Sequence, residues 1–231
     1  MKPSITILTG AGISAESGLR TFRDADGLWE GHRVEYVATP EAFERDPSLV
    51  LDFYNQRRAQ LPTVTPNAAH FALAKLEQEY DGPVTLITQN VDDLHERGGS
   101  KNILHIHGEL LRKKCIWCDA RSDCLDDIEQ SQVCDSCSRS GGLRPDIVWF
   151  GEMPYYLDEI EKILSSTGTF ISIGTSGHVY PAAGFSDVAR RSGAHTIELN
   201  REETTVTNRF HEHRVGPASE TVPALVAELL A

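Results

Sequence analysis

The chain has 231 residues, 40% of them hydrophobic, which is enough to bury a large core as one domain or as a main domain with a small insertion. Its formal charge of −12 lacks the basic footprint that a nucleic-acid backbone requires, which excludes nucleic acid as a partner. It has neither a run of 18 apolar residues nor an apolar leader, so we expect no membrane partner and a cytoplasmic protein.

The first predicted element is the apolar strand 5–8, which runs into the small residues of Gly10-Ala-Gly-Ile-Ser-Ala-Glu-Ser-Gly18. Small residues between a strand and a helix let the backbone pass close to a phosphate. Gly10, Gly12 and Ala15 match the dinucleotide fingerprint G-x-G-x-x-G/A, although a glycine pair after a strand is also typical of a tight turn. The acid expected about 20 residues later is missing, so a dinucleotide ribose must be held from elsewhere.

Short β-rich runs follow, separated in several places by helical patterns. The predicted strands are 84–88, 103–106, 147–150, 169–173 and 195–199, and the predicted helices are 48–60, 67–80, 156–165, 182–192 and 219–231. The strands are nearly continuous in apolar or β-branched residues, which is typical of strands buried on both faces. The pattern predicts an α/β fold, a Rossmann-like parallel sheet with helices on both faces.

Two regions lack this rhythm. Residues 31–81 are helical without intervening strands, and residues 113–142 hold all five cysteines in turn-rich sequence. We interpret them as the helical part and the zinc-ribbon part of a small module. The Rossmann-like, dinucleotide-binding domain then consists of residues 1–30, 82–112 and 143–231.

The cysteines stand in two short pairs, Cys115-x-x-Cys118 and Cys134-x-x-Cys137, a spacing that is typical of a zinc ribbon. Four thiolates complete a tetrahedral site and leave no position for water, so we predict a structural zinc ion. Cys124, between the pairs, is predicted to be an unliganded thiol.

Polar clusters follow four of the predicted strands. They are Gln89–Asp92, His107-Gly108, Gly174–Ser176 and Asn200–Glu202. Each cluster alone is consistent with a helix cap or a turn. The carboxyl ends of strands are where open α/β sheets bind ligands, so four clusters at one edge favour a site.

A histidine is the natural general base of such a site, because its side chain titrates near neutral pH. His105 and His107 point to the same side of the predicted strand, and their spacing alone does not choose between them. The position of His107, after the last apolar residue and before Gly108, favours it.

These motifs, together with Thr21-Phe-Arg23 and Val148-Trp-Phe-Gly-Glu152, stand in the order found in the sirtuins, and they cover nearly the whole chain. The chain resembles this family of NAD-dependent protein lysine deacylases. The resemblance implies that NAD and an acyl-lysine protein meet in the cleft between the two domains, with His107 as the catalytic base. The NAD-binding residues that it implies are Gly10, Ala11, Gly12, Ser14, Thr21, Phe22, Arg23, Trp29, Gln89, Asn90, Val91, Asp92, Gly174, Thr175, Ser176, Asn200, Arg201, Glu202 and Ala218.

The reaction that the resemblance implies begins when the acyl oxygen of the modified lysine attacks the anomeric carbon of the nicotinamide ribose. Nicotinamide leaves, and a ribose hydroxyl activated by His107 attacks the imidate carbon. Water then releases free lysine and O-acyl-ADP-ribose. The resemblance also implies that the substrate backbone pairs by β-augmentation with a segment that includes Val148, Phe150, Gly151 and Glu152.

Tyr54 and Arg57 resemble the Tyr-x-x-Arg of the sirtuins that remove succinyl and malonyl groups. A dicarboxylic acyl group ends in a carboxylate, which suits a guanidinium fork and a phenol donor. The small Ala38 resembles the residue that leaves room for the acyl chain in that class. Helical spacing alone equally allows Arg58, and only the family pattern selects Arg57.

The sequence therefore predicts a desuccinylase and demalonylase that also removes acetyl groups. The alternatives are an enzyme that is mainly a deacetylase, a protein ADP-ribosyltransferase or NAD glycohydrolase on the same fold, and a non-enzymatic NAD-sensing module.

Overall fold

The computed structural model describes residues 2–19, 28–29, 32–204 and 206–231. The strands in these ranges are β1 (Ile5–Thr9), β2 (Leu28–Trp29), β3 (His32–Arg33), β4 (Val84–Thr88), β5 (Ile103–His105), β6 (Gly108–Cys115), β7 (Arg121–Asp123), β8 (Leu143–Ile147), β9 (Thr169–Ile173), β10 (His195–Asn200) and β11 (Glu212–Val215). The α-helices are α1 (Val34–Val37), α2 (Pro40–Arg45), α3 (Pro47–Gln60), α4 (Ala68–Glu79), α5 (Leu94–Gly98), α6 (Leu157–Ser166), α7 (Phe185–Arg191) and α8 (Ala218–Leu230).

Six of the strands form a parallel sheet in the order β11-β10-β9-β1-β4-β5. The chain builds β4 and β5 on one side of β1 and then returns to β9 on the other side, so the strand order reverses between β1 and β9. A crevice opens beyond the carboxyl ends of the strands at such a reversal. The topology therefore places a ligand site above β1 and β9.

Helices cover both faces of this sheet. Ile7 on one face packs among residues of α4 and α8, while Leu8 on the other packs among residues of α6 and α7. All five residues of β1 are buried, which explains why its sequence is apolar without alternation. The predicted Rossmann-like sheet with helices on both faces is confirmed.

The second module is built around an antiparallel sheet in the order β7-β6-β8. Residues of α1, α2 and α3 share one apolar core with Leu110 of β6, with Leu143 and Ile147 of β8, and with the buried cysteines of the ribbon. One core thus joins the helical part to the zinc-ribbon part.

Contacts shift two of the predicted domain boundaries. Helix α4, predicted within the helical part 31–81, packs against α8 and the parallel sheet through Leu73 and Leu76. Residues 108–112 and 143–147, predicted within the Rossmann-like domain, belong to strands β6 and β8 of the antiparallel sheet, in which Gly108 pairs with Ile147 and Glu109 with Asp146. Hydrophobic runs mark where a core lies but not which of two cores a segment joins.

The predicted strand 147–150 is wrong, because the strand ends at Ile147. The sequence of β8, Leu-Arg-Pro-Asp-Ile, has a polar centre and lacks the apolar pattern that was used to predict strands. Arg144 and Asp146 are nevertheless buried, since each has a charged or polar partner, Glu152 for Arg144 and Tyr155 for Asp146. Among the helices of the described ranges, none has the length and apolar character needed to cross a bilayer.

Candidate active site

The predicted polar clusters gather at one edge of the parallel sheet. Thr9 of β1 pairs in register with Thr88 of β4 and with Ile173 of β9, and Thr88 pairs with His105 of β5. The segments that follow these residues therefore leave the sheet side by side. The Gln89–Asp92, His107-Gly108, Gly174–Ser176 and Asn200–Glu202 clusters and the glycine loop all lie at this edge.

Gly10, Gly12 and Gly174 form a tightly packed backbone cradle above β1 and β9. The N–H of Gly10 donates to the Ile173 carbonyl over 3.0 Å, and the N–H of Gly12 donates to the Gly174 carbonyl over 2.9 Å. A Cβ on Gly12 would lie 2.7 Å from the Cα of Gly174, and one on Gly10 would lie 2.8 Å from the Gly174 oxygen. Only glycine fits at these positions, and their bare backbone is suited to the close approach of a pyrophosphate.

Asn90, Ser14 and Asp92 form a buried polar triad beside this cradle. The Asn90 amide donates to the Ser14 hydroxyl oxygen over 3.1 Å, and that hydroxyl donates to the Asp92 carboxylate over 3.1 Å. Burial raises the pKa of Asp92 to about 6, against the opposing hydrogen bonds from the Leu94 amide and from Ser14. An acceptor and a donor side by side complement a carboxamide, which carries one group of each kind.

His107 lies in the turn between β5 and β6, and its Nδ1 is 3.1 Å from the carbonyl oxygen of Gln89. A ring nitrogen facing a carbonyl must carry the proton, so Nε2 is the acceptor in the neutral ring. Burial lowers the pKa of His107, partly offset by the Gln89 carbonyl. His107 is therefore neutral near pH 7, as a general base must be.

His105 is placed differently. Its Nε2 lies 2.6 Å from the Glu96 carboxylate and its Nδ1 lies 3.2 Å from the Asn90 carbonyl, so both ring nitrogens have partners within the fold. Burial opposes its protonation, but the hydrogen bond and charge of Glu96 raise the pKa of His105 above its usual value. A ring whose two nitrogens both have partners within the fold has neither free to take a proton from a substrate, so the geometry favours His107 over His105.

The ends of β9 and β10 carry the residues assigned to the adenosine half of NAD. The Asn200 amide donates to the Thr175 carbonyl over 2.7 Å, which ties the two strand ends together. Ser219, next to Ala218 at the start of α8, donates its backbone N–H and its hydroxyl to the Glu16 carboxylate. The glycine loop is thereby joined to α8. The remaining residues assigned to this edge, with side chains that are half-buried or exposed, are Ala11, Val91, Ser176, Arg201 and Glu202.

The predicted substrate-binding segment 148–152 contacts both His107 and the helical part of the small module. The N–H of Val148 donates to the His107 carbonyl over 2.9 Å, and the N–H of Phe150 donates to the Ala38 carbonyl over 3.0 Å. Gly108 makes the first contact possible, because it has a φ of +79° and a Cβ there would overlap the Asp146 carbonyl. The turn that carries His107 and the predicted peptide segment are thus adjacent.

Glu152, also predicted to bind substrate, is bonded within the fold. Its carboxylate accepts two hydrogen bonds from Arg144, at 2.7 and 2.8 Å, and one from the backbone N–H of Trp149 at 2.8 Å. Burial alone would raise its pKa, but these donors lower the pKa of Glu152 below its usual value. The carboxylate therefore shapes the turn 149–152, in which Gly151 has a φ of +90°.

Tyr54 and Arg57 lie on α3, and Tyr54 contacts this segment. The Tyr54 ring is fully buried, and its hydroxyl oxygen accepts from the Trp149 indole N–H over 3.0 Å. Arg57 is half-buried, with its guanidinium 5.8 Å from the Phe53 ring. Arg58 is buried elsewhere, donating to the Leu110 carbonyl and to the Asn55 amide oxygen. Arg58 is thus part of the core, and Arg57 is the arginine that accompanies Tyr54.

The four paired cysteines converge at the end of β6. Their Sγ atoms lie 3.8 Å apart for Cys115 and Cys137, and 3.7 Å apart for Cys118 and Cys134. Zn–S bonds of about 2.3 Å in a tetrahedron place sulfur atoms about 3.8 Å apart, so the cluster fits zinc. Cys124 lies outside this cluster, with its thiol directed at the Asp126 carbonyl.

Four of the residues predicted to bind NAD lie wholly or partly outside the described residues. Thr21, Phe22 and Arg23 lie outside the described residues, and only the backbone of Trp29 is described.

Sequence reasoning did not identify several residues whose contacts stabilise the site. Arg144 was hidden in a strand with a polar centre, and Glu16 carried no signal beyond its place in the glycine motif. Trp149 lies within the motif Val148–Glu152, but nothing in the sequence indicated its contact with Tyr54.

Together, the fold and the site define a class: a dinucleotide-binding α/β domain whose strand ends face a zinc-ribbon module. The model described as "Sir2 family" matches residues 10–181. The chain belongs to the Sir2 family.

Known relatives agree with this membership. An NAD-dependent protein deacylase of Vibrio vulnificus is 57% identical over 230 residues, which cover 99% of this chain and 94% of the relative. A crystal structure of a Sir2 homolog in complex with NAD has a TM-score of 0.90 at 39% identity, covering 99% of this chain and 91% of that one. A Sir2 complex with a p53 peptide and NAD+ has a TM-score of 0.81 at 30% identity, covering 98% and 93%.

Proposed function

We propose that this Sir2-family enzyme removes succinyl and malonyl groups, and also acetyl groups, from lysine side chains of proteins, with NAD as its co-substrate. Its relatives are named NAD-dependent protein deacylases, which supports the reaction type. The preference for acidic acyl groups is the finer part of the proposal, and it depends on Tyr54 and Arg57. The cytoplasmic location stays a prediction.

One observation carries the proposal. The segment 148–152 hydrogen-bonds to the backbone of His107 at one point and to Ala38 and Tyr54 of the helical part at two others. A lysine laid along this segment would reach the base and the acyl residues at the same time. The residues predicted as the base, as the peptide-binding segment and as the acyl-binding residues are therefore consistent with a single site.

Bound NAD would supply the electrophilic ribose carbon that captures the acyl oxygen. The glycine cradle of Gly10, Gly12 and Gly174 would hold its pyrophosphate, and Asn90 and Asp92 would bind the carboxamide of its nicotinamide. Thr175, Asn200 and Glu202 would hold the adenosine half and supply the ribose contacts that the first glycine motif lacks.

The proposed role of His107 is to accept, at its Nε2, a proton from a ribose hydroxyl. The Gln89 carbonyl holds the ring in the tautomer that leaves this nitrogen free of a proton. The buried surroundings keep the ring neutral and limit the access of water, which would otherwise hydrolyse the co-substrate. We expect His107→Ala to lower kcat/KM on every acyl substrate by about 100-fold or more.

Arg57 is the residue proposed to select acidic acyl groups. A guanidinium in a partly desolvated pocket forms a bidentate, charge-assisted pair with a carboxylate, and a methyl group offers it nothing. Arg58 cannot take this place, because its guanidinium is engaged with Leu110 and Asn55 in the core.

Substitution of Arg57 tests this assignment. Arg57→Met should lower the succinyl-to-acetyl ratio of kcat/KM by about 30-fold, the equivalent of about 2 kcal/mol for a charged hydrogen bond. Arg57→Lys keeps the charge but loses the forked guanidinium, so its succinyl-to-acetyl ratio should lie between those of the wild type and Arg57→Met. Gln56→Met is the matched control, since Gln56 is exposed on the same helix and its amide donates to Asp52, one turn away. Equal losses on succinyl and acetyl peptides in Arg57→Met would refute the assignment.

A further inference from the structure

Trp149 lies in a buried aromatic cluster that joins the segment 148–152 to α3. Its side chain is 2% exposed, and its indole N–H donates to the Tyr54 hydroxyl oxygen over 3.0 Å. Its ring also packs on Phe43, with the centroids 5.4 Å apart. The proposed acyl contacts use Tyr54 and Arg57 and give no part to Trp149.

The ion pair between Arg144 and Glu152 holds the indole in place. The Arg144 guanidinium carbon lies 3.2 Å from the centroid of the Trp149 ring. Arg144 is itself fixed by Glu152 and by the Ile147 carbonyl, and Glu152 also accepts the backbone N–H of Trp149. Both the ring and the backbone of Trp149 are therefore constrained, and its N–H stays aimed at Tyr54.

The direction of this hydrogen bond matters for the chemistry of the pocket. A phenol has one proton and two lone pairs, so an oxygen that accepts from Trp149 must point its own proton at another group. Burial raises the pKa of Tyr54 well above its usual value, which keeps that proton in place at any working pH. A carboxylate only accepts hydrogen bonds, so it binds to a hydroxyl that is set to donate.

We propose that Trp149 is a positioning residue for acyl selectivity, because its indole N–H orients the Tyr54 hydroxyl to donate to the terminal carboxylate of a succinyl or malonyl group. This inference rests on the proposed function. An acetyl group ends in a methyl, so the orientation of the hydroxyl does not affect it.

The test removes the N–H and measures selectivity. Trp149→Phe should lower the succinyl-to-acetyl ratio of kcat/KM about five- to tenfold, mainly through a higher KM for the succinyl peptide, because one neutral hydrogen bond is lost. A change that lowers both substrates alike, or leaves the ratio unchanged, would overturn the proposal.

A double-mutant cycle separates orientation from packing. In a Tyr54→Phe background no hydroxyl remains to be oriented, so adding Trp149→Phe should not lower the ratio further. Full additivity of the two substitutions would contradict the proposal. Phe43→Leu is the matched control, since it disturbs packing on the same indole without touching the hydrogen bond. It should keep the ratio, and a drop equal to that of Trp149→Phe would show that packing alone is responsible.

Two further arms keep the test decisive. If thermal unfolding shows that Trp149→Phe does not fold, benzothienylalanine placed at position 149 removes the N–H while keeping the ring shape, and the same loss of selectivity is expected. If Arg57→Met lowers the ratio but neither change at Trp149 does, only the inference on Trp149 fails. If the wild-type protein does not prefer acidic acyl groups, the proposed function fails, and this inference with it.

Discussion

At the scale of single residues, the site depends on where protons are placed. The Gln89 carbonyl fixes the tautomer of His107. The Ser14 hydroxyl accepts from Asn90 and donates to Asp92. The Trp149 indole N–H donates to the hydroxyl oxygen of Tyr54. Each of these contacts sets whether a buried group donates or accepts. Function at this scale follows from partners that lie far apart in the sequence.

The state of His107 leads to a pH prediction. A general base must be unprotonated, so kcat/KM should fall as the pH drops through the pKa of His107. Because burial lowers this pKa, we expect the acid limb to have its midpoint below the ordinary value of 6.5. Burial also raises the pKa of Asp92 to about 6, so an NMR titration of the His107 ring, assigned with His107→Gln, must identify the group. A ring that titrates above pH 6.5 would contradict the assigned environment.

Sequence reasoning found the chemical groups at this scale but not their contacts. Spacing left His105 and His107 equivalent, as it did Arg57 and Arg58. The structure separates each pair by showing which member is already bonded within the fold. No pattern in one sequence encodes a partner 15 or 52 residues away.

At the scale of elements, predictability follows burial on both faces. The strands β4 and β9 have the predicted bounds, since nearly all their residues are buried and the apolar run is unbroken. By contrast, β11 is an edge strand with the exposed sequence Glu-His-Arg-Val, and β8 has a charged centre. An exposed polar strand such as β11 and a strand with paired buried charges such as β8 carry no apolar signal, so neither was predicted with its observed bounds.

The glycine loop gives a prediction at the level of an element. Gly12→Ala should lower the free energy of unfolding by about 1–3 kcal/mol and raise the KM for NAD, because the added methyl meets the backbone of Gly174 at 2.7 Å. Gly184→Ala is the matched control, since its φ is −89° and the nearest atom to an added Cβ is 3.8 Å away. Chemical denaturation and NAD titrations of both variants are the measurements. A Gly12→Ala protein as stable as the control, with wild-type KM for NAD, would show that the cradle tolerates a side chain.

At the scale of the whole molecule, two modules share one site. The parallel sheet provides the edge that we propose binds NAD, and the core that joins α1–α3 to the ribbon supports Tyr54 and the segment 148–152. The four-cysteine cluster that fits zinc borders that core, because two of its members, Cys115 and Cys134, are buried there.

The five cysteines allow this structural role to be tested. Cys118→Ser should lose the metal and lower the melting temperature, because the thiolate site is part of the fold. Cys124→Ser should keep one zinc ion per chain, since Cys124 lies outside the four-cysteine cluster. Metal analysis and thermal unfolding of the two variants provide the comparison. Retention of zinc by Cys118→Ser, or its loss from Cys124→Ser, would contradict the ligand assignment.

The most direct measurement is a side-by-side assay of one peptide carrying acetyl, malonyl or succinyl lysine, with and without NAD. We predict that free lysine and nicotinamide form only when NAD is present, with kcat/KM higher for the succinyl and malonyl peptides than for the acetyl peptide. A higher kcat/KM for the acetyl peptide would contradict the acyl preference. Nicotinamide release that does not depend on acyl-lysine would contradict deacylation itself.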